Sequence, residues 1–174
     1  AAARCIRFQV EDVRVFAGRS STGNRGIDLA KGDRVISLSI IDGAEFGADE
    51  RDAYLKVSTA LRRGEPAEEG AVAQETYEAF RAREQFILTL ASNGLGKRTS
   101  AYDYRVTKRG GKGIELMSLA DKDVEVVAAF PVADSDGLVL VTNGGQLIRC
   151  PVEQIRIARR STRGVKVFDV AAGD

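Results

Sequence analysis

A sequence pattern repeats with a spacing of 51 residues in the second half of the chain. Arg98 and Arg149 are 51 residues apart, and so are Gly113 and Gly164. In both copies a basic residue precedes the glycine and a β-branched residue follows it. A repeat of this length indicates a small supersecondary unit that stacks against copies of itself.

The opening segment fits the same register, with Arg7 and Gly26 at the two marked positions and a loop four residues longer between them. We define unit 1 as residues 1–43, unit 2 as 85–135 and unit 3 as 136–174. Unit 1 starts after its expected hairpin turn, and unit 3 stops where its closing strand should begin. Because such an array leaves open sheet edges, we expect the native protein to be larger.

Each unit is predicted to consist of short strands. The segments 85–92 (QFILTLAS) and 137–142 (GLVLVT) are apolar, and each is followed by Asn-Gly, which favours a hairpin turn with both turn residues at positive φ. Apolar segments at 34–41 and 124–132 are predicted to close the first two units. Four short strands in about fifty residues match one propeller blade, so the expected fold is all-β, with propeller-like four-stranded blades.

Residues 44–84 interrupt the repeat. They hold six Lys/Arg and ten Asp/Glu, a net charge of −4. Apolar residues recur at helical spacing in two runs: Tyr54, Leu55, Val57 and Leu61, then Val72, Tyr77 and Phe80. We predict an inserted helical hairpin divided near Glu65-Pro66; the alternative is a mobile acidic loop.

Composition narrows the chemistry. The chain contains no histidine, which excludes histidine bases and histidine metal ligands. Its two cysteines, Cys5 and Cys150, lie in strand-like segments far apart in sequence, so we expect free thiols in a reducing compartment. No convergent group of carboxylates indicates an active site, and we predict no catalytic, metal or cofactor residue in the chain.

The loops of the three units are basic. Outside residues 44–84 the chain holds 20 Lys/Arg and 15 Asp/Glu, a net charge of +5. Repeats stacked around an axis would place equivalent loops on one curved rim, which suits a polyanion better than a small ligand. The predicted phosphate-binding residues are Arg7, Arg19, Arg25, Lys97, Arg98, Arg105, Lys108, Arg109, Lys112, Arg149, Arg156, Arg159, Arg160, Arg163 and Lys166. A solvated rim without a ligand is the alternative.

The segment 107–114 (TKRGGKGI) carries the densest combination of glycine and positive charge. It lacks the Ser/Thr and the following helix of a nucleotide-binding P-loop, so we predict contacts to nucleic-acid phosphates instead. Tyr102 and Tyr104 lie among the basic residues of unit 2, and we expect them to pack inside a blade rather than stack on bases. Duplex DNA, bound largely without regard to sequence, is therefore the expected partner.

The segments NGLGKRTSAYDY, TKRGGKGI and RRSTRGVKV resemble the C-terminal domain of the DNA gyrase A protein. The resemblance covers nearly all of the chain except 44–84. It implies a six-bladed β-pinwheel whose blades exchange strands, with about three blades present here. It also implies that duplex DNA is bent and wrapped around the basic rim with one handedness, in support of negative supercoiling.

The same resemblance implies a bacterial, cytoplasmic A2B2 assembly with the gyrase A N-terminal domain and the gyrase B protein. The catalytic tyrosine and the ATP site would lie outside this chain, so ATP and Mg²⁺ would serve only the whole enzyme. The segment 108–113 (KRGGKG) is similar to the family's gyrase box, but we interpret it as the equivalent loop of a later blade. Two alternatives stay open: the C-terminal domain of topoisomerase IV, and a propeller scaffold that binds an acidic protein.

Overall fold

The computed structural model describes residues 3–43, 46–68, 70–119 and 121–170. The outer limits predicted for units 1 and 3 and the predicted start of the insert lie outside the described residues. The elements are β1 (Arg4–Cys5), α1 (Ala48–Arg62), α2 (Gln74–Ala82), β2 (Phe86–Ala91), β3 (Leu95–Ser100), β4 (Ile114–Glu115), β5 (Val126–Val132), β6 (Gly137–Val141), β7 (Leu147–Pro151) and β8 (Val165–Lys166). Within this part of the chain no helix is long and apolar enough to cross a membrane.

The main sheet has four strands in the order β5-β2-β3-β8, all antiparallel to their neighbours. Strands β5, β2 and β3 come from unit 2, whereas β8 comes from unit 3. Neighbouring units therefore exchange a strand, which confirms the pinwheel-like, propeller-class blade that was expected. The predicted strands at 85–92, 124–132 and 137–142 are confirmed as β2, β5 and β6.

The contact between units 1 and 2 repeats the contact between units 2 and 3. Cys5 of β1 pairs with Ile114 of β4, and Gly96 of β3 pairs with Val165 of β8. A 3-10 turn occurs at the same place in each unit, at Val10–Asp12, Ala101–Asp103 and Val152–Gln154. Residues at equivalent positions of the sequence repeat therefore make equivalent contacts in the structure.

The repeated glycine lies where two units meet most closely. Gly113 and Gly164 have φ values of 69° and 83°, in the left-handed region that glycine tolerates best. A Cβ atom at Gly113 would collide with the carbonyl oxygen of Cys5, and one at Gly164 would collide with that of Gly96. Both the backbone conformation and the close approach therefore require glycine.

Two local predictions need correction. Residues 34–41 do not form a strand, because no described residue pairs with them as β2 pairs with β5. The β2–β3 and β6–β7 hairpins form, but among their turn residues only Gly94 and Gly145 have positive φ. In each turn the glycine amide donates to the carbonyl three residues earlier, so the left-handed residue comes after the two central residues rather than among them.

The insert is helical, as predicted, and is anchored on unit 2. Tyr54 and Leu55 of α1 and Phe80 of α2 form a buried cluster with Tyr102 of unit 2. Tyr104 is buried in a separate cluster with Leu116 and Val126, so both tyrosines pack inside the protein as expected. Neither cysteine forms a disulfide, and burial raises the pKa of the Cys5 thiol to about 11.

Candidate nucleic-acid interface

One set of predicted residues is exposed at a fixed position of the repeat. Arg105 of unit 2 and Arg156 of unit 3 are 51 residues apart, and both are exposed. Neither side chain makes a hydrogen bond or ion pair with any residue that the structure describes. Arg14 holds the corresponding position in unit 1, where its guanidinium lies 5.4 Å from the centre of the Phe16 ring.

A second exposed set lies immediately before the repeated glycine. Lys112 and Arg163 are exposed, and within the described part of the chain their side chains have no bonded partner. The left-handed Gly113 and Gly164 fix the backbone beside them. Arg25 has the matching position in unit 1 and makes only a long contact of 3.4 Å with Asp28, so it is also open to solvent.

Four further predicted residues are exposed in different electrostatic settings. Lys108 and Arg19 have exposed side chains, for which the described residues supply no partner. Lys166 forms an exposed ion pair with Asp169 at 2.6 Å. Arg159 is bonded to the largely buried carboxylate of Asp103 at 2.9 Å, so it reaches solvent with its charge already partly compensated.

Arg7 and Arg98 form contacts between neighbouring units. The Arg7 guanidinium donates to the carbonyls of Ala101 at 2.8 Å and Tyr104 at 3.4 Å in the next unit. Arg98 is 5% exposed, and it donates to the carbonyls of Ile155 at 2.7 Å and Glu153 at 3.0 Å. Because Tyr104 and Ile155 occupy the same repeat position, these are two copies of one contact.

Arg98 also forms an ion pair with Asp134. Because Arg98 is almost fully buried among these partners, we reassign it from the predicted DNA-binding set to the contact between units 2 and 3. Half-buried Arg7 makes the equivalent carbonyl contacts without a carboxylate partner among the described residues, and its contribution to DNA binding stays a prediction. Burial lowers the pKa of Arg7, which is consistent with its removal from bulk water.

Lys97 is also predicted to bind phosphate, but the structure buries it. Its side chain is fully buried, and its ammonium donates to the carbonyls of Arg159 and Thr162, both at 2.9 Å, and of Arg160. Burial lowers its pKa to about 8. Lys97 thus organises the 159–162 loop of unit 3 from beneath and does not reach the surface.

Arg109 and Arg160 have an intermediate position. Arg109 donates to the carbonyl oxygens of Asp12 at 2.9 Å and Arg25 at 3.2 Å, and Arg160 donates to that of Glu115 at 3.0 Å. All three bonds tie a loop to the preceding unit. Because carbonyls carry no net charge, these half-buried arginines keep their positive charge near the surface.

Arg149 occupies the repeat position of Arg7 and Arg98 but is exposed on β7. No described residue contacts it as Ala101 and Tyr104 contact Arg7. The geometry thus divides the predicted set into residues that form contacts between units and residues that are exposed. We call the exposed residues the basic rim: Arg19, Arg25, Arg105, Lys108, Lys112, Arg149, Arg156, Arg159, Arg163 and Lys166. The sequence offered a partial signal for this division: Lys97 aligns with Ile6 and Ile148, which are apolar residues typical of an inward-facing position.

This basic rim lies on a fold with known relatives. The family described as "DNA gyrase C-terminal domain, beta-propeller" matches residues 1–42, 85–133 and 138–174. The chain belongs to this family. The match to the gyrase C-terminal domain leaves out residues 43–84, the segment that contains α1 and α2.

Curated relatives support the same family. The DNA gyrase A protein of Granulibacter bethesdensis is 46% identical over 96% of this chain and 20% of the relative. That of Rickettsia bellii is 45% identical over 98% of the chain and 20% of its own length, and that of Thermotoga maritima is 33% identical over 95% and 16%. The chain thus spans about a fifth or less of the length of these relatives.

Two solved structures are similar to part of the chain. A structure of the DNA gyrase A C-terminal domain matches with 25% identity and a TM-score of 0.46, over 51% of this chain and 30% of that chain. The C-terminal domain of DNA topoisomerase IV matches with 21% identity and a TM-score of 0.45, over 49% and 27%.

Proposed function

We propose that this chain binds duplex DNA through its basic rim, chiefly through phosphate contacts, and bends the duplex around the stacked units. The observation that carries the proposal is the recurrence of exposed basic side chains without carboxylate partners at two fixed repeat positions. These are the positions of Arg105 and Arg156 and of Lys112 and Arg163. Cations spaced by a structural repeat match a polymer with regularly spaced charge better than they match a small anion.

Contacts of this kind would carry little sequence information. Lys and Arg on irregular loops reach phosphates, whereas base readout normally uses a helix or ribbon inserted into a groove. DNA that follows a curved row of cations has to bend, and phosphate contacts compensate for the cost of the bend. Non-specific, strongly salt-dependent binding is therefore the expected behaviour.

Within the whole protein, we propose that this domain presents a wrap of one handedness to a type II topoisomerase and so supports negative supercoiling. The partners would be the gyrase A N-terminal domain and gyrase B in a cytoplasmic A2B2 assembly. Strand passage and ATP hydrolysis, with its Mg²⁺, would be carried out there, and this chain would supply no catalytic residue and no cofactor site.

Fluorescence anisotropy of the 174-residue chain with a random-sequence duplex, over a series of salt concentrations, tests the binding step. Each phosphate contact contributes about 0.9 to the slope of log K against log salt. The variant Arg105→Gln/Arg156→Gln should flatten that slope by about 1.8. The control Arg63→Gln/Arg81→Gln removes the same charge from exposed insert residues and should leave the slope nearly unchanged. Equal slopes for the two variants would contradict rim binding.

Wrapping needs a separate measurement. A closed circular plasmid relaxed by a topoisomerase in the presence of the chain should, after protein removal, show a shift in linking number of one sign. Binding without such a shift would refute wrapping by this chain while leaving phosphate binding intact.

A further inference from the structure

The insert and the repeat units enclose a cleft. Helix α1 lies against the 3-10 turn Ala101–Asp103 of unit 2, and beside it is a depression of about 260 Å³. The charged residues that line it are Arg51 and Asp52 of the insert, Asp103 and Arg105 of unit 2, and Arg159 and Arg160 of unit 3. Three separate segments of the chain thus contribute charge to one concave surface.

The insert holds a fixed position at this cleft. The Tyr54 ring of α1 lies 5.0 Å from the Phe80 ring and 5.8 Å from the Tyr102 ring of unit 2. The Tyr102 hydroxyl donates to the Phe80 carbonyl at 3.1 Å. All three side chains are buried. Because α1 is packed in this way, Arg51 in its first turn is placed over the loops of units 2 and 3.

The cleft keeps an excess of positive charge. Asp103 accepts bonds from the Arg159 guanidinium and from the backbone amide of Arg160, while Asp52 accepts two bonds from its neighbour Arg51. The four guanidinium groups thus face two carboxylates. Arg160 bonds a neutral carbonyl, and Arg105 has no bonded partner among the described residues, so two positive charges stay uncompensated.

We propose that this cleft binds a phosphate of duplex DNA and that the insert thereby adds Arg51 to the DNA contact. The inference rests on the proposed function, because Arg105 in the cleft wall belongs to the exposed rim. Guanidinium groups bind phosphate oxygens through paired, charge-assisted hydrogen bonds. DNA that reaches Arg105 meets Arg51 of α1 in the same cleft, so the otherwise acidic insert contributes a guanidinium there.

Opposite charges in the cleft give opposite expectations. In the full 174-residue chain, Arg51→Gln should raise the Kd for a random-sequence duplex by about threefold to tenfold at low salt and flatten the salt dependence by up to about 0.9. Asp52→Asn should lower the Kd by about twofold to fivefold, because it removes a negative charge and releases Arg51. Arg51→Lys, which restores the charge but not the paired donors, should recover only part of the loss.

The matched control is Arg81→Gln, which removes one positive charge from an exposed residue of α2 that does not line the cleft. If the wild-type chain binds DNA but Arg51→Gln and Arg81→Gln change the Kd and the salt slope equally, the cleft does not bind phosphate. That result would leave the proposed function standing. A wild-type chain that does not bind DNA at low salt would overturn both.

Double substitution tests whether one phosphate is shared. If Arg51 and Arg105 hold the same group, Arg51→Gln/Arg105→Gln should weaken binding by less than the product of the two single effects. Arg51→Gln/Arg163→Gln should weaken binding by close to the product, because Arg163 does not line the cleft. Effects that multiply in both pairs would overturn a shared cleft. Equal far-ultraviolet circular dichroism of all variants would establish that they are folded.

Discussion

Replacing Lys97 by methionine tests the division of the basic residues into inter-unit contacts and an exposed rim. The substitution keeps a long, unbranched side chain but removes the ammonium that donates to the carbonyls of Arg159, Arg160 and Thr162. Because Lys97 is fully buried, methionine would leave these carbonyls facing an apolar group. The structure therefore predicts a loss of stability, with no loss of a phosphate contact.

The size of the loss follows from the three hydrogen bonds. A bond to a charged group contributes about 1.5–3 kcal/mol, and part of the total is offset because a buried charge no longer has to be desolvated. We expect Lys97→Met to lower the free energy of unfolding by about 2–4 kcal/mol near pH 7. That is a large fraction of the stability of a small domain.

Urea unfolding followed by circular dichroism measures this loss, and the salt dependence of DNA binding measures the number of phosphate contacts. The matched control is Lys108→Met, which changes an exposed lysine that has no bonded partner within the described segments. The control should keep its stability and flatten the salt slope by up to about 0.9. The reverse pattern, with Lys97→Met stable and flattened in slope, would refute the division.

The difference between wild type and Lys97→Met should also depend on pH. The folded-state pKa of Lys97 is lowered from 10.5 to about 8, so unfolding takes up a proton between these two values. The wild type should therefore gain stability relative to the variant as pH rises from 8 towards 10.5, by at most about 1.4 kcal/mol per pH unit. A difference that is constant from about pH 7.5 to about pH 9.5 would contradict the lowered pKa.

Three further outcomes are expected. Gly164→Ala should lower the free energy of unfolding by about 1–3 kcal/mol more than Gly145→Ala, because both glycines have positive φ but only Gly164 faces a neighbouring carbonyl. Thermal unfolding of the two variants measures the difference, and equal losses would refute close packing between the units. Tyr102→Phe should loosen the insert by about 1 kcal/mol through loss of the bond to the Phe80 carbonyl, seen as faster hydrogen exchange in α2 but not in β2. The Cys5 thiol, with its pKa raised to about 11, should react with iodoacetamide at pH 8 much more slowly than a model thiol, and a comparable rate would count against its burial.

Much of the fold was predictable because the repeated residues are contact points. The arginine at 7 and 98 and the glycine at 113 and 164 each meet the backbone of an adjacent unit, so the spacing in the sequence equals the spacing of the contacts. Strand β5 is predictable because all of its residues are apolar. The strand expected at 34–41 is absent, because strand pairing depends on a neighbouring strand that the composition of the segment does not specify.

The functional role of each basic residue was less predictable. Lysine and arginine have the same charge whether they face DNA or a backbone carbonyl, so charge density alone placed Lys97, Arg98 and Lys112 in one group. Only the three-dimensional contacts separate Lys112, which is exposed, from Arg98, which is buried. Composition likewise indicates that the insert is acidic, but it does not indicate that Arg51 of the insert faces the basic rim.

The informative residues are those that depart from the repeat. Lys97 stands where the other units have Ile6 and Ile148, and its ammonium holds the 159–162 loop of unit 3. Tyr102 stands where they have Glu11 and Glu153, and it is the residue on which the insert docks. Arg7 and Arg98, which match the register, serve a contact made twice, whereas Lys97 and Tyr102, which break it, serve contacts that the described residues show only once. The register thus places the insert's anchor beside the basic rim, which is where Arg51 meets it.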